Sequence, residues 1–220
     1  MFVKDRMTPN PIFGSPDMAV TEAQKLMAEN KIRHLPILDE DQKLVGLITQ
    51  SSLESALPSD ISSFSQFEIN YTLSQLKVHS IMIKDLYLIE PDTPIEEAAM
   101  LMADKKLGAL PVVKDGSLVG IMSGEDLFIA MTDLLGTRKS GIRVTVEQPD
   151  QRGVIARLTS AIAKEGGYLS VCVGYYPSDT PDKWISVCKV ENLDKDILVD
   201  VICKLKDTNI VDIREYQEYA

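Results

Sequence analysis

The sequence predicts an α+β protein built from a tandem pair of βαββα units followed by a βαββαβ unit. Three observations carry this prediction. Residues 7–38 recur at residues 82–113, agreeing at Met7/Met82, Pro16/Pro91, Asp17/Asp92, Glu22/Glu97, Ala23/Ala98, Leu26/Leu101, Met27/Met102, Lys31/Lys106, Leu35/Leu110 and Pro36/Pro111. A duplicated unit constrains the architecture before any motif is considered. Within each copy, helical spacing of apolar residues is followed by two short apolar runs of strand length. Residues 141–220 have no counterpart in the repeat, yet alternate strand and helix in an order of their own.

The elements follow in order. In the first copy a helix is expected after Pro16-Asp17, with Val20, Ala23 and Met27 on one face and acidic residues near its positive end. The second copy repeats it after Pro91 to Pro94 with Ile95, Ala98 and Met102. Leu35 to Leu38 and Val45 to Ile48, separated by Asp39-Glu40-Asp41, read as a hairpin, as do Leu110 to Val113 and Val119 to Met122 around Asp115-Gly116. A proline at the head of a strand lacks an amide to donate, which suits a sheet edge or entry point. From Gly141 the chain predicts a strand at Ile142 to Val146 and a helix carrying Val154, Ile155, Leu158 and Ile162, closed by Gly166-Gly167. Two strands follow, Leu169 to Tyr175 and Trp184 to Val190, then a helix with Leu198, Val201, Ile202 and Leu205 and a strand at Ile210 to Glu215. As a split βαβ this order puts four antiparallel strands under two helices. The expected boundaries are 1–57 for the first repeat, 58–77 for a connection, 78–136 for the second repeat and 141–220 for the last domain. The stretch 54–77 is serine-rich but interleaved with Phe64, Phe67, Ile69 and Tyr71, so a partly ordered connection packing on the pair is expected.

Composition narrows the chemistry. With 220 residues, 45% hydrophobic and 25% charged, the chain is long enough for one or two sizeable cores. Its net charge of −10 gives no electrostatic footprint for a polyanion, so neither nucleic acid nor a membrane surface is expected as a partner. No apolar run approaches the roughly 18 to 20 residues of a spanning helix, and Met1 to Arg6 has no signal-peptide core, which reads as a cytoplasmic protein. Three cysteines, Cys172, Cys188 and Cys203, match neither a disulfide framework nor a zinc site and read as small buried hydrophobes. There is no phosphate-binding glycine loop, no nucleophile elbow and no metal cluster, and only His34 and His79 are available as histidine bases. No catalytic residue, metal or required cofactor is assigned, and the chain is expected not to be an enzyme.

The Leu-Pro-(Ile/Val) segments and the Gly-x-x-(Ser/Thr) elements, recurring in both copies in the same order, resemble tandem cystathionine-β-synthase (CBS) domains, known as Bateman modules. The resemblance covers roughly residues 1–135. It implies βαββα units packed through their sheets, with two clefts that often hold adenosine nucleotides. The last domain resembles the ACT domain, a ferredoxin-like regulatory module that usually dimerises and often binds an amino acid. Arg152 stands where ACT turns commonly carry proline, and Tyr168 where many carry asparagine, which weighs toward assembly rather than amino acid binding. The CBS pair followed by ACT, with Ile32 to Pro36 reading Ile-Arg-His-Leu-Pro, resembles the acetoin-utilisation B family.

The resemblance also implies where a ligand would sit. Gly120-Ile121-Met122-Ser123-Gly124-Glu125-Asp126 matches the family's ribose and phosphate element, with Ser123 and Asp126 at a strand-to-helix junction whose amides favour phosphate. Ser123 and Asp126 also read as a helix cap. In the first copy Thr49 keeps the hydroxyl, but Ser52 replaces the carboxylate, so that site should be weak or empty. Residues before the Leu-Pro element of one copy often face phosphate in the other copy's cleft; the first copy supplies Arg33 and His34 beside Leu35 and Pro36, while the second supplies Gly108 and Ala109. The expectation is one good site per chain, for AMP, ADP, ATP, S-adenosylmethionine or a dinucleotide. The expected role is a non-catalytic regulatory sensor, a homodimer or higher oligomer signalling to a metabolic enzyme or regulator. The rival expectations are a ligand-independent assembly module and an amino acid sensor acting through the last domain.

Overall fold

The computed structural model describes residues 1–56, 75–180 and 182–217. The expected connection therefore lies largely outside the described residues. The chain divides into two compact units, Met1–Phe128 and Ile129–Ala220.

In the first unit, α1 (Val20–Glu29) buries Val20, Ala23 and Met27, and α3 (Ile95–Lys105) buries Ile95, Ala98 and Met102, the stripes expected from the spacing. Glu22 reaches back to accept from the Ala19 amide at 3.0 Å, closing the first turn of α1. The hairpin β2 (His34–Leu38) with β3 (Leu44–Thr49) precedes α2 (Gln50–Ser55), and β4 (Ala109–Lys114) with β5 (Ser117–Ser123) precedes α4 (Gly124–Leu134). Leu35 opposes Ile48 in one hairpin, and Leu110 opposes Met122 in the other, and all four are fully buried. Pro36 and Pro111 lie inside their strands rather than at the heads. They are tolerated because the outer side of each strand meets only a parallel bridge, in which the proline carbonyl accepts from Gly14 at 2.9 Å or from Ile89 at 3.2 Å.

The two copies exchange their leading segments. The short strand β1 (Thr8–Pro9) pairs with β5 of the second copy, Thr8 opposite Ile121, and reciprocally Ile83 bridges Leu47 of the first. The Val3 and Lys4 amides bond to the Thr93 and Pro91 carbonyls, while those of Val78 and His79 bond to Met18 and Pro16. Val3 and Val78 are both fully buried. Met7 lies on Gly120 and Met82 on Gly46, so closely that a Cβ at either glycine would collide with the methionine sulfur. The halves of the folded pair are thus not the halves of the repeat. A sequence offset is identical whether a segment folds onto its own copy or onto the other.

The second unit runs β6 (Gly141–Pro149), α5 (Val154–Lys164), β7 (Tyr168–Tyr175), β8 (Lys183–Glu191), α6 (Lys195–Cys203) and β9 (Asn209–Tyr216). Its sheet is antiparallel throughout, in the order β7-β8-β6-β9. Ile142, Val144, Val146, Cys188 and Val190 form a core with Leu158, Ile162, Leu198 and Ile202. Ile155, expected on the apolar face of α5, is exposed, because one residue after Val154 falls about 100° around the helix. Lys189 was not expected in the interior: it is 4% exposed and donates to the carbonyls of Gly136, at 2.9 Å, and Lys139. It thereby ties residues 136–139 to the sheet, and burial lowers its pKa. The cysteine expectation holds for Cys188 alone, since Cys172 and Cys203 are exposed.

Candidate functional site

The strand-to-helix junction of the second copy is built as follows. β5 ends at Ser123 and α4 begins at Gly124, and Asp126 Oδ2 accepts from both the Ser123 amide and the Ser123 hydroxyl at 2.7 Å. The carboxylate is fixed by local bonds to one oxygen, and Oδ1 has no hydrogen-bond partner among the described residues. Ser123 and Asp126 are half-buried.

Arg33 and His34 of the first copy reach this junction. The Arg33 guanidinium donates to Glu125 Oε2 at 3.2 Å, one residue from Asp126. His34 lies over Gly108, whose Cβ, if it had one, would stand 2.7 Å from His34 Nε2. A side chain there would have to displace the His34 ring. Gly108 is itself tied to the helix start, since its carbonyl accepts from the Gly124 amide at 3.1 Å. The pKa of His34 is lowered, first by burial and then by the neighbouring Arg33 charge, so the imidazole is neutral at pH 7 and only Arg33 brings positive charge.

The remaining predicted residues contribute less. The Leu35 side chain is fully buried in the core of the first copy, leaving only its backbone for a ligand, and Pro36 is buried too. Gly120 is covered by Met7, while Ile121 is half-buried. In the first copy's own junction Thr49 Oγ1 accepts from the Ser52 amide at 3.1 Å and lies 3.0 Å from the Ser52 hydroxyl. Ser52 fills the capping role of Asp126 without its charge.

One feature escaped the sequence reading. Pro11 to Phe13 cross from the second copy, where Asn10 donates to the Val119 carbonyl, to the first, where Gly14 donates to Pro36. Ile12 and Phe13 are exposed on this span, as are Tyr87 and Leu88 on the equivalent span of the second copy. The available signal was an apolar run with neither helical nor strand periodicity. Among the described residues no group of three or more His, Cys, Asp or Glu side chains could hold a metal ion, and no helix is long and apolar enough to cross a membrane.

A reciprocally completed pair of βαββα units with a hydroxyl and a carboxylate at a strand-to-helix junction defines a class. The CBS domain profile matches residues 3–59 and 78–133, more than half of the chain, and the chain belongs to the CBS domain family. The chain is similar to the crystal structure of AcuB, a candidate acetoin utilization protein of Vibrio cholerae, with 29% identity and a TM-score of 0.52 over 62% of this chain and 93% of that one. It is also similar to the CBS domain pair of protein MJ0100, in complex with 5′-methylthioadenosine and S-adenosyl-L-methionine, at 28% identity and a TM-score of 0.51 over 60% of this chain and 97% of that one. A third likeness is to CBSX2 in complex with AMP, 31% identical with a TM-score of 0.50 over 60% and 96% of the two chains. Among curated proteins, a homoserine O-acetyltransferase of Methanohalobium evestigatum is 33% identical over 111 residues, half of this chain and 20% of that one. The chain spans about a fifth of the length of the curated relatives it matches.

Proposed function

We propose that this protein is a non-catalytic regulatory sensor that binds one adenosine-containing ligand per chain at the Ser123–Asp126 junction. The observation that carries the reading is the asymmetry between the copies: Asp126 presents a fixed carboxylate with one oxygen uncommitted among the described residues, where Ser52 presents a hydroxyl already bonded to Thr49. An ionised acceptor holds the vicinal hydroxyls of a ribose better than a neutral one, by about 1.5–3 kcal/mol per bond against about 1. Arg33 and His34 are read as the phosphate end of this site.

Arg33 is offset by Glu125 and Asp126 adds a second carboxylate, so these side chains carry more negative than positive charge. That balance suits adenosine ligands with a neutral or cationic 5′ group, as in the MJ0100 pair, whereas AMP, as in CBSX2, would depend on the Arg33 guanidinium. The second unit, with its βαββαβ order, we read as a ferredoxin-like ACT domain serving assembly. The enzymes among the relatives match over a CBS region only, which is consistent with regulation rather than catalysis as the shared role.

The test is Asp126→Asn, which keeps the shape and part of the local bonding. Calorimetry with adenosine should lose about 1–3 kcal/mol of binding. Wild-type affinity in this variant would remove the site.

A self-association role has its own support. Phe128, Met131 and Leu135 lie at positions i, i+3 and i+7 in and just beyond α4, 68%, 51% and 38% exposed, an apolar stripe of the kind that proteins cover. We read the protein as a homodimer or higher oligomer through this stripe.

A further inference from the structure

Cys172 and Cys188 are opposite each other in the register of β7 and β8, and their sulfur atoms are 3.5 Å apart without a bond. Directly opposed residues of antiparallel strands have Cα atoms about 4.5–5.5 Å apart, inside the range of about 4.4–6.8 Å that a disulfide spans. A side-chain rotation suffices to bring the sulfurs to bonding distance. The two thiols differ in a way that divides the labour: Cys172 is exposed on the edge strand, while Cys188 is fully buried in the core and donates its S–H to Cys172. That bond brings the Cys172 thiol down to about 7 and, with burial, raises that of Cys188. A thiolate that is exposed and beside a second thiol has the arrangement of an oxidisable pair with its own resolving partner. Cys203, on the last turn of α6, has no sulfur neighbour among the described residues.

We propose that Cys172 and Cys188 are a peroxide-reactive modification site that closes to a reversible cross-strand disulfide, Cys172 being oxidised first and Cys188 resolving it. The Cys172 sulfur attacks one oxygen of a hydroperoxide, the O–O bond breaks, and the alkoxide leaves and takes a proton as the alcohol. Sulfur is oxidised to the sulfenic acid as the peroxide is reduced. Cys188 then gives up its proton as its sulfur attacks that of Cys172. The S–O bond breaks, hydroxide leaves with the proton as water, and the S–S bond forms. Two thiols and one hydroperoxide become one disulfide, one alcohol and one water. The product ties the edge strand β7 to the centre of the sheet, and thiol exchange with a reductant reopens it.

The experiment uses the reduced full-length protein and hydrogen peroxide. After brief exposure, catalase removes the oxidant, iodoacetamide blocks the remaining thiols in the native state and again after unfolding, and trypsin cuts without reduction. Cleavage after Lys164, Lys183 and Lys189 separates the two cysteines into peptides 165–183 and 184–189. The expected result is a monomeric chain lighter by two hydrogens, the two peptides joined, Cys203 alkylated, and all three thiols recovered with dithiothreitol. In Cys188→Ser, dimedone should label Cys172 as the sulfenic acid. In Cys172→Ser, Cys188 should remain alkylatable at the same peroxide dose. Oxidation of wild-type Cys172 to the sulfinic acid with Cys188 still alkylatable would overturn the proposal. So would disulfides formed chiefly between chains, or through Cys203.

Discussion

Replacing Arg33 by alanine separates phosphate recognition from ribose recognition. The guanidinium lies 3.2 Å from Glu125, and both side chains are about 70% exposed, so the fold gains at most about 1 kcal/mol from this ion pair. Arg33→Ala should therefore melt within about 4 °C of the parent. Its effect on ligands should be unequal. A charged hydrogen bond to phosphate is worth about 1.5–3 kcal/mol, and removing Arg33 also leaves the Glu125 carboxylate unopposed near the same phosphate. AMP should weaken about 10- to 100-fold while adenosine changes less than about twofold, since about 1.4 kcal/mol is one factor of ten. Glu125→Gln should act in the opposite sense. Freed from its partner, Arg33 should bind AMP more tightly, by up to about fivefold, the worth of the exposed pair, with adenosine again unmoved. Titration calorimetry of both variants against both ligands provides the comparison. It should be run at low and high salt, because these exposed charges are screened over about 10 Å at 0.1 M and the difference between AMP and adenosine should shrink as salt rises. Equal losses of AMP and adenosine in Arg33→Ala would refute the placing of Arg33 at the phosphate. Weaker AMP binding in Glu125→Gln would refute the competition between carboxylate and phosphate.

Two further outcomes are expected. Ser52→Asp restores a carboxylate at the position equivalent to Asp126, so adenosine should bind at two sites per chain instead of one, the new site gaining little from a phosphate because Gly108 and Ala109 stand where the first copy has Arg33 and His34; an unchanged stoichiometry in calorimetry would argue against the carboxylate as the deciding group. Phe128→Glu places a charge on the exposed stripe of α4 and should shift the sedimentation coefficient toward the monomer at micromolar concentration, whereas a wild-type distribution would move the interface elsewhere.

Much of this protein was written locally. Val20, Ala23 and Met27, like Ile95, Ala98 and Met102, declare their helical faces by spacing alone, because a stripe every three or four residues has only one way to be buried. The hairpins and the succession of strands and helices along the last domain followed from runs and turns a few residues long, and the contrast between Ser52 and Asp126 is a matter of side-chain chemistry at matched positions. The tertiary structure decided what depends on the path of the chain. Periodicity has no record of which copy a strand joins, so the exchange that places Thr8 beside Ile121 and Ile83 beside Leu47 emerged only when the pair was folded. Adjacent Arg33 acts on His34 from within the sequence, but the larger cause of its lowered pKa is burial, which only the fold supplies by laying the ring over Gly108, far along the chain. Cys172 and Cys188 are the clearest case. The two cysteines stand 16 positions apart with no disulfide spacing, and only the register of two antiparallel strands brings one sulfur to 3.5 Å from the other.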